Sequence, residues 1–210
     1  YIDAAQPWSL SSPGVSLIEQ PATNVDWASD ETDHAAGSDA PYFWLSLTNA
    51  VRMSDIVGGD LARTFPEFSA VILANRDALK IELLALYREF QNKLLDVADI
   101  SVFALANEFV YLTNDMGLYV DGYFLKQDID WTEEDLSMLT ARLKSRGVGV
   151  VLHKWQPSEV IQKAVQAADA EIIVLDTADP GITVDRRLVA DGYQQVLRGN
   201  LEKLFQALAR

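Results

Sequence analysis

From Pro66 to Val97 the chain runs without an internal proline or glycine, and Val71, Leu79, Leu83, Leu86, Tyr87, Phe90 and Leu94 recur along it at helical spacing. Pro66 suits the first turn of such a helix, where its missing N–H is no loss. Some 30 residues at about 1.5 Å rise reach roughly 45 Å. That exceeds what a small domain needs to cover its core. The segment is expected to be a strut between two lobes, or else one member of a long bundle.

Before the strut, Ser46 or Thr48 can cap a helix running to about Thr64, with Leu47, Val51, Ile56, Val57 and Leu61 near one face. Gly58-Gly59 weakens its middle. After the strut the pattern alternates. Ile100–Ala106, Tyr119–Phe124, Gly149–His153 and Glu171–Leu175 read as short apolar strands. Helices are expected over Asn107–Met116, from Thr132 as cap to Ser145, from Pro157 to about Ala168, and over about Asp185–Ala209. Such alternation implies a parallel sheet covered on both faces.

Residues 1–41 lack periodicity and hold Pro7, Pro13, Pro21 and Pro41, four of the seven prolines. Within them Asp26–Asp39 reads DWASDETDHAAGSD, an acidic stretch expected to form a mobile loop. The charge balance of 17 basic and 31 acidic residues, net −14, argues against nucleic acid or an anionic membrane surface as a partner. The chain has no cysteine, which removes thiolate metal sites, disulfides and thiol catalysis. No run approaches the roughly 18 apolar residues of a membrane span.

Chemistry-bearing residues are sparse. The histidines are His34 and His153. His34 lies among Asp30, Glu31, Asp33 and Asp39, a donor set that suits zinc or manganese and equally makes a solvated loop. His153 ends a strand and Asp176 ends another, positions where open α/β sheets hold ligands. An enzyme built on them requires the two side chains within hydrogen-bond reach. No glycine-rich phosphate loop follows a strand, and there is no GxSxG elbow.

Ala40-Pro41-Tyr42-Phe43-Trp44-Leu45, continued by Thr48-Asn49-Ala50, opens an ordered set of segments. The next, Phe103 to Leu118, carries Phe109, Tyr111, Gly117 and Leu118. Gly149 to Asp176 gives a strand, a proline-led helix and a strand ending in Val-Leu-Asp. Tyr193, Asn200, Leu201, Glu202, Lys203 and Leu204 close the chain. Together with the long helix, this set resembles the cluster A-I (ZnuA/TroA-like) solute-binding proteins of zinc and manganese ABC transporters. The resemblance implies an α/β fold: a TroA-like C-terminal lobe with a four-stranded parallel sheet and helices on both faces, a long backbone helix, and a remnant of the N-terminal lobe. The divisions would be 1–65, 66–97 and 98–210, with most of the first lobe outside this chain.

In function the resemblance implies a non-enzymatic, extracytoplasmic protein, its signal segment not in this chain, that captures a divalent cation between lobes and delivers it to an ABC permease. Family members hold the metal with about four ligands. The first falls outside this sequence, the second falls on Tyr42 and the third on Ala106. A slip would bring Asn107 or Glu108 to the third position, but Phe109 and Tyr111 would then lose register. Only the fourth, Asp176, is retained. The metal candidates are therefore Asp176, Tyr42 and, from the acidic loop, His34. No zinc or manganese is expected to be tightly held. The alternative is a degenerate scaffold or interaction domain without a transport role. A shortened lobe exposing apolar surface would also favour a homo-oligomer.

Overall fold

The computed structural model describes residues 14–28, 37–179, 181–184 and 187–210. A 3-10 turn at Phe43–Leu45 leads into α1 (Leu47–Thr64) and α2 (Ser69–Leu94). Then come β1 (Ser101–Ala104), α3 (Val110–Met116), β2 (Tyr119–Tyr123), α4 (Glu133–Arg146), β3 (Val150–His153), α5 (Glu159–Gln166) and β4 (Glu171–Val174). A small hairpin of β5 (Thr183–Val184) and β6 (Arg187–Leu188) precedes α6 (Gly192–Leu208).

The four long strands form one parallel sheet in the order β2-β1-β3-β4. Alternate strand residues feed opposite faces, as the pleat requires. Phe103 and Val151 pack with Leu139 and Leu143 of α4 and Ile161 and Val165 of α5. Val102, Val150 and Leu152 pack on the other face with α3, α6 and the second half of α2. Helices thus cover both faces, and the α/β class expected from the alternation is the class observed.

Local signals explain the element ends. The Ser46 hydroxyl accepts the Asn49 N–H at 2.9 Å and caps α1. Thr132 and Asp135 make a reciprocal capping box at the start of α4. Gly147 ends α4 at φ 69°, in the left-handed region where glycine is at ease.

The long helix differs from its sequence reading at both ends. Pro66 opens a separate 3-10 turn, Pro66–Phe68, and the α-helix proper starts at Ser69 and stops at Leu94. Its first half lies along α1, where Lys80 Nζ meets both Asp55 oxygens at 2.6 and 2.7 Å. Its second half buries Leu83, Leu86 and Phe90 in the core of the α/β layer. Glu89 there pairs with Arg198 of α6 at 3.1 Å.

Two other expectations shift. Helix formation after β1 starts at Val110 rather than Asn107, and the last helix starts at Gly192 rather than Asp185. The chain makes the β5–β6 hairpin first, entered through Gly181 at φ 92°. The expectation of a mobile loop over 26–39 falls largely on residues 29–36, including His34, which lie outside the described residues. No helix among the described residues is long and apolar enough to cross a membrane.

Candidate functional site

Strands β1, β3 and β4 deliver their C-terminal ends to one edge of the sheet. The strand order reverses between β1 and β3, and open α/β sheets bind ligands outside the strand ends at such a point. Of the residues singled out in the sequence, those that are described fall around this edge in two groups, and His34 lies outside the described residues.

The first group joins the 3-10 turn to the end of β4. The Tyr42 ring lies 5.1 Å from the Trp44 ring. The Trp44 indole N–H donates to Thr177 O at 2.9 Å, and the Tyr193 hydroxyl donates to Trp44 O. Burial pushes the Tyr193 phenol well above its ordinary pKa, with the Asp115 charge adding to the effect, so it remains a donor. Trp44 therefore connects Tyr42 to the segment that carries Asp176.

Asp176 is itself fixed by its neighbours. Its N–H donates to Asn200 Oδ1 at 2.8 Å and its carbonyl accepts from Asn200 Nδ2 at 2.7 Å. Its carboxylate Oδ1 accepts the Ala178 N–H at 2.8 Å, and Ala178 sits at φ 59°. An aspartate that bonds the backbone two residues on in this way makes an Asx turn. Ala106, where the sequence resemblance sets the third ligand, is 4% exposed, and its side chain offers no donor atom. Among the described residues no three His, Asp or Glu side chains are arranged to hold a metal ion.

The second group lies at the ends of β1 and β3. His153 is 2% exposed. Its Nδ1 accepts the Lys154 N–H at 2.9 Å, which places the ring proton on Nε2, 3.2 Å from Asp128 Oδ1. The Trp155 indole N–H donates to Asp128 Oδ2 at 3.1 Å. Burial lowers the His153 pKa below its ordinary value, while the Asp128 hydrogen bond and charge oppose that shift in part. The His153–Asp176 pair required for an enzyme is not assembled: His153 is paired with Asp128, and the Asp176 carboxylate turns to its own loop.

Glu108 and Lys154 complete this group as an ion pair across the β1–β3 junction. Sequence reasoning weighed Glu108 only as an alignment slip and gave no role to Lys154 or Asp128. Of the three, only Lys154 directly follows a strand, β3, and that place was the usable signal.

A family model described as zinc-uptake complex component A, periplasmic, matches residues 6–207. No curated protein matches the chain. Among solved structures, a mutant of FpvC from Pseudomonas aeruginosa is similar at a TM-score of 0.76 and 18% identity, over 92% of this chain and 68% of that one. A crystal structure of ZnuA is similar at 0.70 and 21% identity, over 99% and 70%. The Zn(II)-bound ZnuA-like domain of AdcA from Streptococcus pneumoniae is similar at 0.68 and 20% identity, over 88% and 68%. At these identities the likeness is one of fold. Across these and related structures the chain spans 64% to 70% of the other chain's length.

Proposed function

The chain belongs to the family of the periplasmic zinc-uptake complex component A, and on that premise we propose that it is an extracytoplasmic solute-binding homologue of a zinc or manganese ABC transporter whose family metal site is largely lost. The partner is a membrane permease, as the family resemblance implies. The cation cleft lies at the C-terminal edge of the sheet, where Trp44 links Tyr42 to the end of β4. In this reading the cleft no longer retains zinc or manganese tightly.

The reading is supported by one observation on the positions that the resemblance assigns to ligands: Asp176, the one carboxylate among those in this chain, already accepts the Ala178 N–H. A zinc site needs three or four imidazole, thiolate or carboxylate donors. A phenol such as that of Tyr42 ordinarily ionises near pH 10 and is a poor ligand at neutral pH. Ala106 supplies nothing.

Elemental analysis of the purified protein, with melting curves in zinc and in EDTA, tests this. The expected result is metal well below one equivalent and an unchanged melting temperature. A ligand at a thousandfold excess over its Kd stabilises the native state by about 4 kcal/mol, on the order of 10 °C for a chain of this size. A rise of that kind in zinc, abolished by Asp176→Ala, would overturn the proposal.

A further inference from the structure

The side of α2 turned away from the core is apolar for most of its length. Val71, Ala74, Ala78, Ile81 and Ala85 recur at alternating steps of three and four residues, and all are exposed, Val71 at 54% and Ile81 at 68%. Ala70 and Leu84 widen the face at one edge. Leu83, Leu86 and Phe90 leave the opposite side of the helix and enter the core. The sequence pattern groups Val71 with those core residues, and the structure separates them.

Single exposed apolar residues are ordinary, but an aligned set marks an interaction face. Steps of three and four residues make the seam along which two helices pack at a shallow angle. Alanine at three of the five positions lets the axes approach to about 8 Å, the near end of the usual range.

The charges select the occupant. Glu67, in the 3-10 turn before α2, and Arg88 each extend the repeat by one step, so the apolar face ends in opposite charges. Both are exposed, and neither forms an ion pair with a described residue. Asp77 and Glu82, at the borders, are already engaged by Arg76 and Gln194. A second copy turned end for end sets the Arg88 of each copy within a turn of the other's Glu67 and brings Ala78 close to the two-fold axis. Two identical ion pairs then close the ends of one seam, as an isologous contact requires. A parallel copy would set Glu67 against Glu67 and Arg88 against Arg88.

We infer that α2 packs antiparallel on α2 of a second copy of this chain, through the face from Val71 to Ala85, and forms a two-fold dimer. The inference makes no use of the metal reading. One helix on one helix buries an area at the low end of specific interfaces, so the dimer dissociates at micromolar concentrations.

Sedimentation equilibrium across the micromolar range tests it. The wild type is expected to show a monomer–dimer equilibrium. Ile81→Glu sets a charge in the middle of the seam and is expected to weaken association at least about tenfold. Ala78→Glu does the same near the axis and stands in if Ile81→Glu does not fold. Glu67→Lys and Arg88→Glu each turn two attractive pairs into two repulsive ones, and each is expected to weaken association about threefold or more at low salt. The double variant, Glu67→Lys with Arg88→Glu, is expected to associate as the wild type does. A wild type that stays monomeric, the result expected if a different protein or a further segment of chain covers the face, overturns the inference. So does a dimer indifferent to the seam variants. Charge reversals that the double variant does not rescue belong to a parallel or unrelated contact and overturn it as well.

Discussion

At the scale of single residues, His153 gives the molecule a pH dependence with a definite sign. The native ring is buried and holds one proton, on Nε2, facing Asp128, with Lys154 and Glu108 close enough to act on its charge. Its pKa is lowered, first by burial and further by the Lys154 charge, against the opposing pull of Asp128 and Glu108. An unfolded chain takes up the second proton near pH 6.5. Below that pH the unfolded state binds more protons than the native state, so stability falls as pH drops from about 6.5 towards the lowered native value. Above about 6.5 the contribution is fully present. Glu89 and Asp135 also have lowered pKa values, and their loss belongs to more acidic solutions, near and below the carboxylate range. In Asp135 burial acts the other way, and the combined hydrogen bonds from Lys126 and Thr132 outweigh it. Denaturant titrations of His153→Asn are therefore expected to lose the slope between pH 5 and 6.5. A slope that survives in the variant would show that another group carries it. The sequence placed His153 at a strand end correctly, because GVVLH is an apolar run with a polar last residue. It could not supply Asp128, which lies 25 residues earlier in a short turn with no periodicity. The Glu108–Lys154 pair is separated by 46 residues and was hidden for the same reason.

At the scale of elements, the two glycines inside α1 have opposite roles. Read from sequence, Gly58-Gly59 is a weak point in a helix. In the structure Gly58 is buried where α2 crosses, and a Cβ there would stand 2.9 Å from Arg76 Cγ and Cδ and 3.0 Å from Arg76 Cβ. Atoms so near the α2 backbone cannot swing clear, so the close approach of the two helices depends on the missing side chain. A Cβ on Gly59 would meet nothing within 4 Å. Gly58→Ala is expected to cost about 1–3 kcal/mol through overpacking. Gly59→Ala is expected to gain about 1 kcal/mol from helix propensity alone. Equilibrium unfolding of the two variants checks the contrast, and equal effects of either sign would rule out the packing role of Gly58. The elements themselves were readable where burial imposes a period: Leu139 and Leu143 on α4, or β3, buried along its whole length. The start of α6 was misread because two-residue strands such as β5 and β6 are too short to show alternation.

At the scale of the whole molecule, the question is what orders residues 14–28 and 37–46, whose sequence shows no period and which, among the described residues, form no helix or strand before the turn at Phe43. Its backbone folds back on itself: Ala40 N–H donates to Ile18 O at 2.8 Å and Gln20 N–H to Ser38 O at 2.7 Å. The α/β layer then fastens it through side chains that periodicity cannot reveal. Tyr111 of α3 is 1% exposed, and its hydroxyl accepts the Ile18 N–H at 3.1 Å and donates to Ala40 O at 2.9 Å. Asn49 of α1 accepts the Ser16 N–H and donates to Ser16 O, both at 2.9 Å. Removing the hydroxyl in Tyr111→Phe leaves the half-buried Ile18 N–H and the buried Ala40 carbonyl unpaired at little cost in packing, a loss of about 1–3 kcal/mol. Because both bonds end on one segment, the loss is concentrated there rather than shared by the sheet. In hydrogen exchange, the amides of Gln20 and Ala40 are expected to exchange at least about tenfold faster in the variant. The β1, β3 and β4 amides should accelerate only as far as global stability falls. Unchanged exchange at Gln20 and Ala40, or an equal change throughout the sheet, would mean that Tyr111 does not fasten the segment. The segment also supplies the turn that brings Tyr42 and Trp44 to the end of β4, so its loosening would be felt at the proposed cation cleft as a weaker Trp44–Thr177 contact.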